Sequence, residues 1–294
     1  WKQSDPELTA RAESLAGQLE RAVQGLEAEA GIGRLELRWQ ALPWEPLIDH
    51  YRIYSGAPRG RGREPDPEHL VGRTVFPRFV LDGLDPAGEQ HSLTVIAVSD
   101  AGRLSPSSRA LIAASQASVT ETGTELAAIG SFDGRTHELQ FAPKDYAKIP
   151  KAYPQALIEF RQVDDEPRQA WPYLLPGPGD AWASRKSYRA RWVVELDEAP
   201  GTTDLALWLG DTTSLGGRLD IVVNGTPVRG IELPRGSNKG SRQGDATATG
   251  SPLKRSRHEL ELPAGTLRAG ENYVEFVLAE GGWVAWDALG LFAR

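Results

Sequence analysis

The sequence predicts an all-β protein, two successive β-sandwiches behind a single N-terminal helix. Three observations carry this. Apolar residues alternate with polar ones at a period of two over many short runs. Those runs are punctuated by 31 Gly and 21 Pro in 294 positions, the residues that turns require. No strand-like run is followed by the helical pattern that a parallel βαβ sheet needs.

Composition removes several classes of function. With 33 Lys+Arg against 40 Asp+Glu the formal charge is −7, which argues against a general nucleic-acid binder. Apolar stretches such as 205–209 fall far short of the roughly 20 residues of a membrane-spanning helix. The absence of Cys removes disulfides, thiol catalysis and Cys-bound metals together. The absence of Met leads to the expectation that the chain is a processed or excised piece of a longer protein.

Along the chain, Ser4-Asp5-Pro6-Glu7 reads as a helix start. Leu8, Leu15, Leu19, Val23 and Leu26 then form one apolar stripe, and Gly31 and Gly33 end it. A helix is therefore expected within 1–31. From Arg34 the period changes to two, with Leu35, Leu37 and Trp39 on one face, followed by strand-like runs at 50–54, 79–81 and 93–98. The Ser/Thr/Ala-rich stretch 116–130 reads as a boundary, placing one domain at 32–116 and another at 117–294. In the second, strands are expected at 188–196, 204–210, 218–223, 258–262, 271–279 and 284–292, with Asn224-Gly225 as a hairpin turn.

Two resemblances follow from particular motifs. Trp39, Tyr51-x-Ile53-Tyr54, Leu84 before the turn Pro86-Ala87-Gly88, and Val95-x-Ala97-Val98 running into Asp100-Ala101-Gly102 resemble a fibronectin type III domain. His91 stands where that family usually has a tyrosine whose hydroxyl bonds a backbone carbonyl. Further on, Ala128-Ile129-Gly130-Ser131-Phe132-Asp133-Gly134, Trp171-Pro172-Tyr173, Val222-Val223-Asn224-Gly225, Arg242-Gln243-Gly244 and Gly270-Glu271-Asn272 are similar to the third domain of family 4 polysaccharide lyases, the rhamnogalacturonan lyases. The resemblance implies a jelly-roll, galactose-binding-like sandwich after the fibronectin-like one. It also implies the accessory portion of an exported pectin-degrading or related enzyme, secreted or periplasmic, with the catalytic domain upstream and no counterpart in these residues. Sandwiches of this type often hold a structural calcium, for which Asp133 and Asp287 are candidates, though no spacing here matches a defined calcium loop. No other cofactor is expected.

The side chains show no catalytic set. HExxH, the Gly-x-Ser-x-Gly elbow and a dinucleotide fingerprint are absent, the five histidines share no spacing, and Asp164-Asp165-Glu166 reads as a solvated loop. A polysaccharide surface needs aromatic faces and planar polar groups. The segment 171–192 supplies Trp171, Tyr173 and Trp182 among prolines and glycines, beside Asp180, Arg185 and Lys186. Tyr173 and Trp182 fit a core position and a ligand position equally, whereas Trp192 and Trp208 read as core, and Trp283 and Trp286 as core or interface. The loop 235–257, with Lys239 and Arg242, reads by default as solvated and mobile; it is also the cationic feature that an acidic polysaccharide would call for. The expected carbohydrate-binding residues are thus Trp171, Tyr173, Asp180, Trp182, Arg185, Lys186, Lys239 and Arg242. Two other readings stand beside this one: a divergent lyase with its cleft in the jelly roll, and a purely structural spacer.

Overall fold

The computed structural model describes residues 21–42, 48–56 and 65–294. Its contacts divide into two compact units, Trp1–Ser118 and Val119–Arg294. Among the described residues no helix is long and apolar enough to cross a membrane.

The first unit contains β1 (Glu27–Gly31), β2 (Arg34–Arg38), β3 (Ile48–Ser55), β4 (Leu70–Thr74), β5 (Arg78–Asp82), β6 (Gln90–Ser99) and β7 (Leu111–Ala114). They form two antiparallel sheets, ordered β1-β2-β5 and β4-β3-β6-β7, in an Ig-like sandwich. Leu35, Leu37, Ile53, Leu93 and Val95 fill the space between them, and Trp39 meets Tyr51 edge-on at 5.3 Å. The period-two reading of β2 fits this closely, since Leu35 and Leu37 are buried while Arg34 and Arg38 are exposed.

The expected helix is corrected at its end. Residues 1–20 lie outside the described residues, but Glu27–Gly31, included in the expected helix up to its glycine stop, is strand β1. It pairs with β2 around the turn Ile32-Gly33, where Gly33 takes φ +60°. Val23, counted in the helical stripe, is buried in the sandwich. Glu27-Ala28-Glu29-Ala30 also has a period of two, and a waiting ladder on β2 outweighs a few tenths of a kcal/mol of helix propensity per residue. His91, at the position of the fibronectin type III tyrosine, pairs its Nδ1 with Ser55 Oγ at 2.6 Å.

The second unit contains β8 (Thr124–Gly130), β9 (Leu157–Arg161), β10 (Leu174–Pro176), β11 (Arg189–Leu196), β12 (Thr203–Thr212), β13 (Gly217–Val223), β14 (Thr226–Leu233), β15 (Ser256–Leu262), β16 (Gly270–Gly281) and β17 (Trp283–Ala293). One sheet runs β10-β17-β12-β15, with β8 also on β17; the other runs β14-β13-β16-β11-β9. Only β9 on β11 is parallel among these pairings. This is a jelly-roll sandwich. The β13–β14 hairpin turns on Asn224 (φ +50°) and Gly225 (φ +79°), the pair of positive φ values that a type I′ turn needs.

Aromatic rings fill the layer between these sheets. Trp171 lies 5.9 Å from Trp286, 6.1 Å from Phe160 and 6.3 Å from Phe276, and all four are essentially without solvent contact. Trp192 is in the same core and donates its Nε1 hydrogen to Gln162 Oε1 at 2.8 Å. Trp208 is buried but on the other side of its sheet. Leu207 and Leu209 point into the core, so Trp208 points away from it, under Phe132 at 5.2 Å and the Arg257 guanidinium at 4.1 Å.

Candidate functional site

Beyond β10 the chain enters a tight turn built on backbone contacts. Gly177 and Gly179 donate to the carbonyls of Gly282 (2.6 Å) and Gly281 (2.7 Å), and a Cβ on either glycine would stand 2.8 Å or less from a neighbouring atom. Asp180 follows and is buried. Its carboxylate accepts the N–H of Trp182 at 2.9 Å, and its carbonyl accepts the N–H of Arg185 at 2.9 Å. Burial raises the pKa of Asp180, opposed by the Trp182 and Ala183 N–H groups. The turn is completed by positive φ at Ser184 (+57°) and Arg185 (+55°). Ala183 is thereby turned inward, and Trp182 outward with 70% of its surface exposed.

An indole this exposed is the informative exception in a domain whose other tryptophans are buried. Its ring is met edge-on by Tyr146 at 6.2 Å and 82°. Tyr146 also lies close enough to Tyr173 to act on its phenol. Tyr173 is wholly buried, and burial pushes its hydroxyl well above the ordinary tyrosine range. That hydroxyl donates to the Ser241 carbonyl at 2.8 Å, which ties the aromatic cluster to the basic loop.

The basic loop is exposed over much of its length, as its Gly/Ser content suggests, but it is pinned to the sandwich by hydrogen bonds from its backbone. Asp211, at the end of β12 with no solvent exposure, accepts from Ser237 N (2.8 Å), Ser237 Oγ (2.7 Å), Lys239 N (3.0 Å), Gly240 N (2.8 Å) and Lys254 N (3.4 Å). Further on, Gly244 accepts from Thr136 N at 2.8 Å and Ala246 donates to the Gly134 carbonyl at 2.9 Å. Trp283 packs beneath, since a Cβ at Gly240 would come within 3.3 Å of its ring. Lys239 and Arg242 are held exposed on this frame.

The expected site residues therefore separate. Trp182, Arg185, Lys186, Lys239 and Arg242 are exposed. Trp171 and Tyr173 are corrected: both rings are in the core at 0% exposure and cannot face a ligand. Their Pro- and Gly-rich setting suggested a surface loop, but its backbone is paired inward, Gln140 N to Trp171 O at 2.9 Å and Tyr173 N to Gln140 O at 3.0 Å. Asp180 is corrected as well, since its carboxylate holds the turn that presents Trp182. Sequence reasoning missed Tyr146, with Lys144 and Lys148 exposed on either side of it. The only signal was an aromatic set between lysines in 144–148, too short to stand out.

The calcium expectation finds no donor set. Asp287 is buried and both its oxygens accept from Gly134 N at 2.9 and 3.0 Å, while Asp133 accepts from Arg135 N at 2.9 Å. Among the described residues no group of three or more metal-binding side chains converges. Burial instead raises the pKa of Asp287 to about 8, opposed by the Gly134 N–H and assisted by Asp133 and Glu138. In the unfolded chain an aspartate titrates near 3.9. Between those values the folded state binds the extra proton, so stability falls as pH rises. The contribution is fully present below about pH 4 and is lost as pH rises through about 8. Denaturant unfolding across pH 4–9 is expected to show this decline in the parent chain, and a shallower one in Asp287→Asn.

No protein-family model matches the chain, and no curated protein matches it. Among solved structures, it is similar to a family 35 carbohydrate binding module from an environmental isolate, at 16% identity over 37% of this chain and 71% of that one, TM-score 0.27. It is also similar to a family 28 exopolygalacturonase of Yersinia enterocolitica, at 19% identity over 48% of this chain and 28% of that one, TM-score 0.27. A third is the pectate lyase PelI of Erwinia chrysanthemi in complex with tetragalacturonic acid, at 16% identity over 31% of this chain and 28% of that one, TM-score 0.23. Likeness at these values carries no statement about function.

Proposed function

We propose that this chain is the accessory, glycan-binding portion of an exported polysaccharide-degrading protein whose catalytic domain lies upstream, and that it engages an acidic polysaccharide. The ligand would rest on Trp182 and Tyr146, with Arg185, Lys186, Lys239 and Arg242 meeting its carboxylates. One observation carries the reading: Trp182, 70% exposed, is fixed outward by a buried aspartate instead of being left to fold inward. The apolar C–H face of a pyranose packs on such a ring, and a uronate carboxylate pairs with guanidinium or ammonium groups. On a chain of net charge −7 a cationic rim steers anionic ligands toward one place. The first unit is read as a fibronectin type III spacer, a reading that its three- and four-stranded sheet order supports.

Affinity electrophoresis in gels containing polygalacturonate or a neutral galactan tests this. The parent chain is expected to be retarded by polygalacturonate. Trp182→Ala is expected to unfold within about 0.5 kcal/mol of the parent, yet to bind about tenfold more weakly or worse. Unretarded migration of the parent would leave the spacer reading in its place.

A further inference from the structure

We infer that the second unit carries another ligand site, a cleft for an uncharged sugar residue, chemically opposite to the Trp182 surface. The cleft is shallow and open to solvent on one side, with a volume of about 350 Å³, at the small end of the range for small-molecule sites. It lies where the turn between β12 and β13, the end of β14, and the junction of β16 with β17 meet. Its side chains are Leu215, Glu232, Leu233, Arg235 and Glu280, and the rest of its wall is glycine backbone.

That backbone wall is fixed. A Cβ on Gly217 would stand 2.2 Å from the Glu280 carbonyl oxygen, one on Gly281 2.2 Å from the Gly216 carbonyl oxygen, and one on Gly216 2.8 Å from that of Leu233. Gly216 and Gly281 also hold φ at +69° and +100°. Main chain thus packs on main chain with no side chain between, so the cleft exists before any ligand arrives and little ordering is lost on binding. Leu215 projects at its rim with 67% of its surface exposed, an apolar side chain that the core does not use.

The polar groups decide the ligand class. Glu232 and Glu280 both stand opposite Arg218 in the strand register, one on each side, so they share a face. Arg218 reaches Glu280 only at 3.8 Å and lies nearer to Asp220, at 3.1 Å. Carboxylates accept hydrogen bonds from hydroxyls, Arg235 donates to ring or hydroxyl oxygens, and Leu215 offers a surface to C–H groups. Glu232, Glu280 and the adjoining Asp220 outnumber the guanidiniums of Arg218 and Arg235, so the net charge at the cleft repels a uronate. A bare cation is disfavoured by Arg235 and by the absence, among the described residues, of any group of three metal-binding side chains. An uncharged, hydroxyl-rich pyranose satisfies every group in the cleft.

This inference takes its ligand class from the proposed glycan-binding role, and the test separates the two. The full chain, labelled with 15N, is titrated with methyl β-galactopyranoside, methyl β-glucopyranoside, galacturonate and calcium chloride. The amides of Gly216, Gly217 and Gly281 are expected to shift with at least one methyl glycoside and not with galacturonate or calcium. Glu280→Gln is expected to weaken this response about tenfold, the effect of one charge-assisted hydrogen bond, and Leu215→Ser to weaken it without changing stability. Trp182→Ala should leave it unaltered, so loss of polygalacturonate binding with these shifts intact would fault only the Trp182 surface. Silence of the three amides toward both glycosides, or movement with calcium alone, would overturn the inference.

Discussion

Asp211→Ala is expected to destabilise the second unit by roughly 3–5 kcal/mol and to lower its unfolding temperature by on the order of 10 °C. The wild-type carboxylate is buried and collects donors from Ser237, Lys239, Gly240 and Lys254, all reached across 26 or more residues of chain. Removing it leaves at least the Gly240 N–H in a buried position without an acceptor, and each such loss costs about 1–3 kcal/mol. Asp211→Asn should recover little, because its NH₂ would face donors where an oxygen now accepts. Denaturant unfolding of both variants measures this. Polygalacturonate affinity should fall with stability, because Lys239 and Arg242 stand on the same frame. A change below about 1 kcal/mol for the alanine variant would mean that the loop holds itself.

Trp171→Ala is expected to cost roughly 3–5 kcal/mol, since deleting a buried indole loses its transfer free energy and leaves a cavity among Phe160, Phe276 and Trp286. Trp171→Phe should cost clearly less. It keeps an aromatic ring there and removes an indole N–H that has no hydrogen-bond partner. Because Trp171 has no exposed surface, the phenylalanine variant should keep the parent's polysaccharide affinity. Unfolding curves and affinity electrophoresis, run together, separate the two roles. A folded Trp171→Phe that no longer binds would return Trp171 to the ligand surface.

The parts of the fold that were legible in the sequence are those where period, length and punctuation agree. The strands around Leu35, Leu93–Val98 and Leu205–Leu209 and the Asn224-Gly225 hairpin are of this kind. Strand β1 was not legible, because Glu and Ala favour helix locally and only pairing with β2 decides otherwise. Strands β9 and β10 are short and β8 falls in the Ser/Thr/Ala-rich stretch read as a boundary, and all three owe their form to neighbours distant in sequence. At the site, composition alone could not separate Tyr173 from Trp182. Both lie among glycines and prolines, and what divides them is a two-residue turn cap from Asp180 and inward pairing with Gln140. Asp211 carried no signal at all, since an acid ending a strand shows its partners only after the chain has folded.

Trp182, with Arg185, Lys186, Lys239 and Arg242, is proposed to form one surface for an acidic glycan. The most direct measurement is isothermal titration of the full chain and of Trp182→Ala with a purified oligogalacturonate, at low and at high salt. The parent chain is expected to bind, to bind more weakly as salt screens the contribution of Arg185, Lys186, Lys239 and Arg242, and to lose about tenfold or more in affinity with Trp182→Ala at either salt. Absence of binding by the parent chain, or equal affinity in the Trp182→Ala variant, would contradict it.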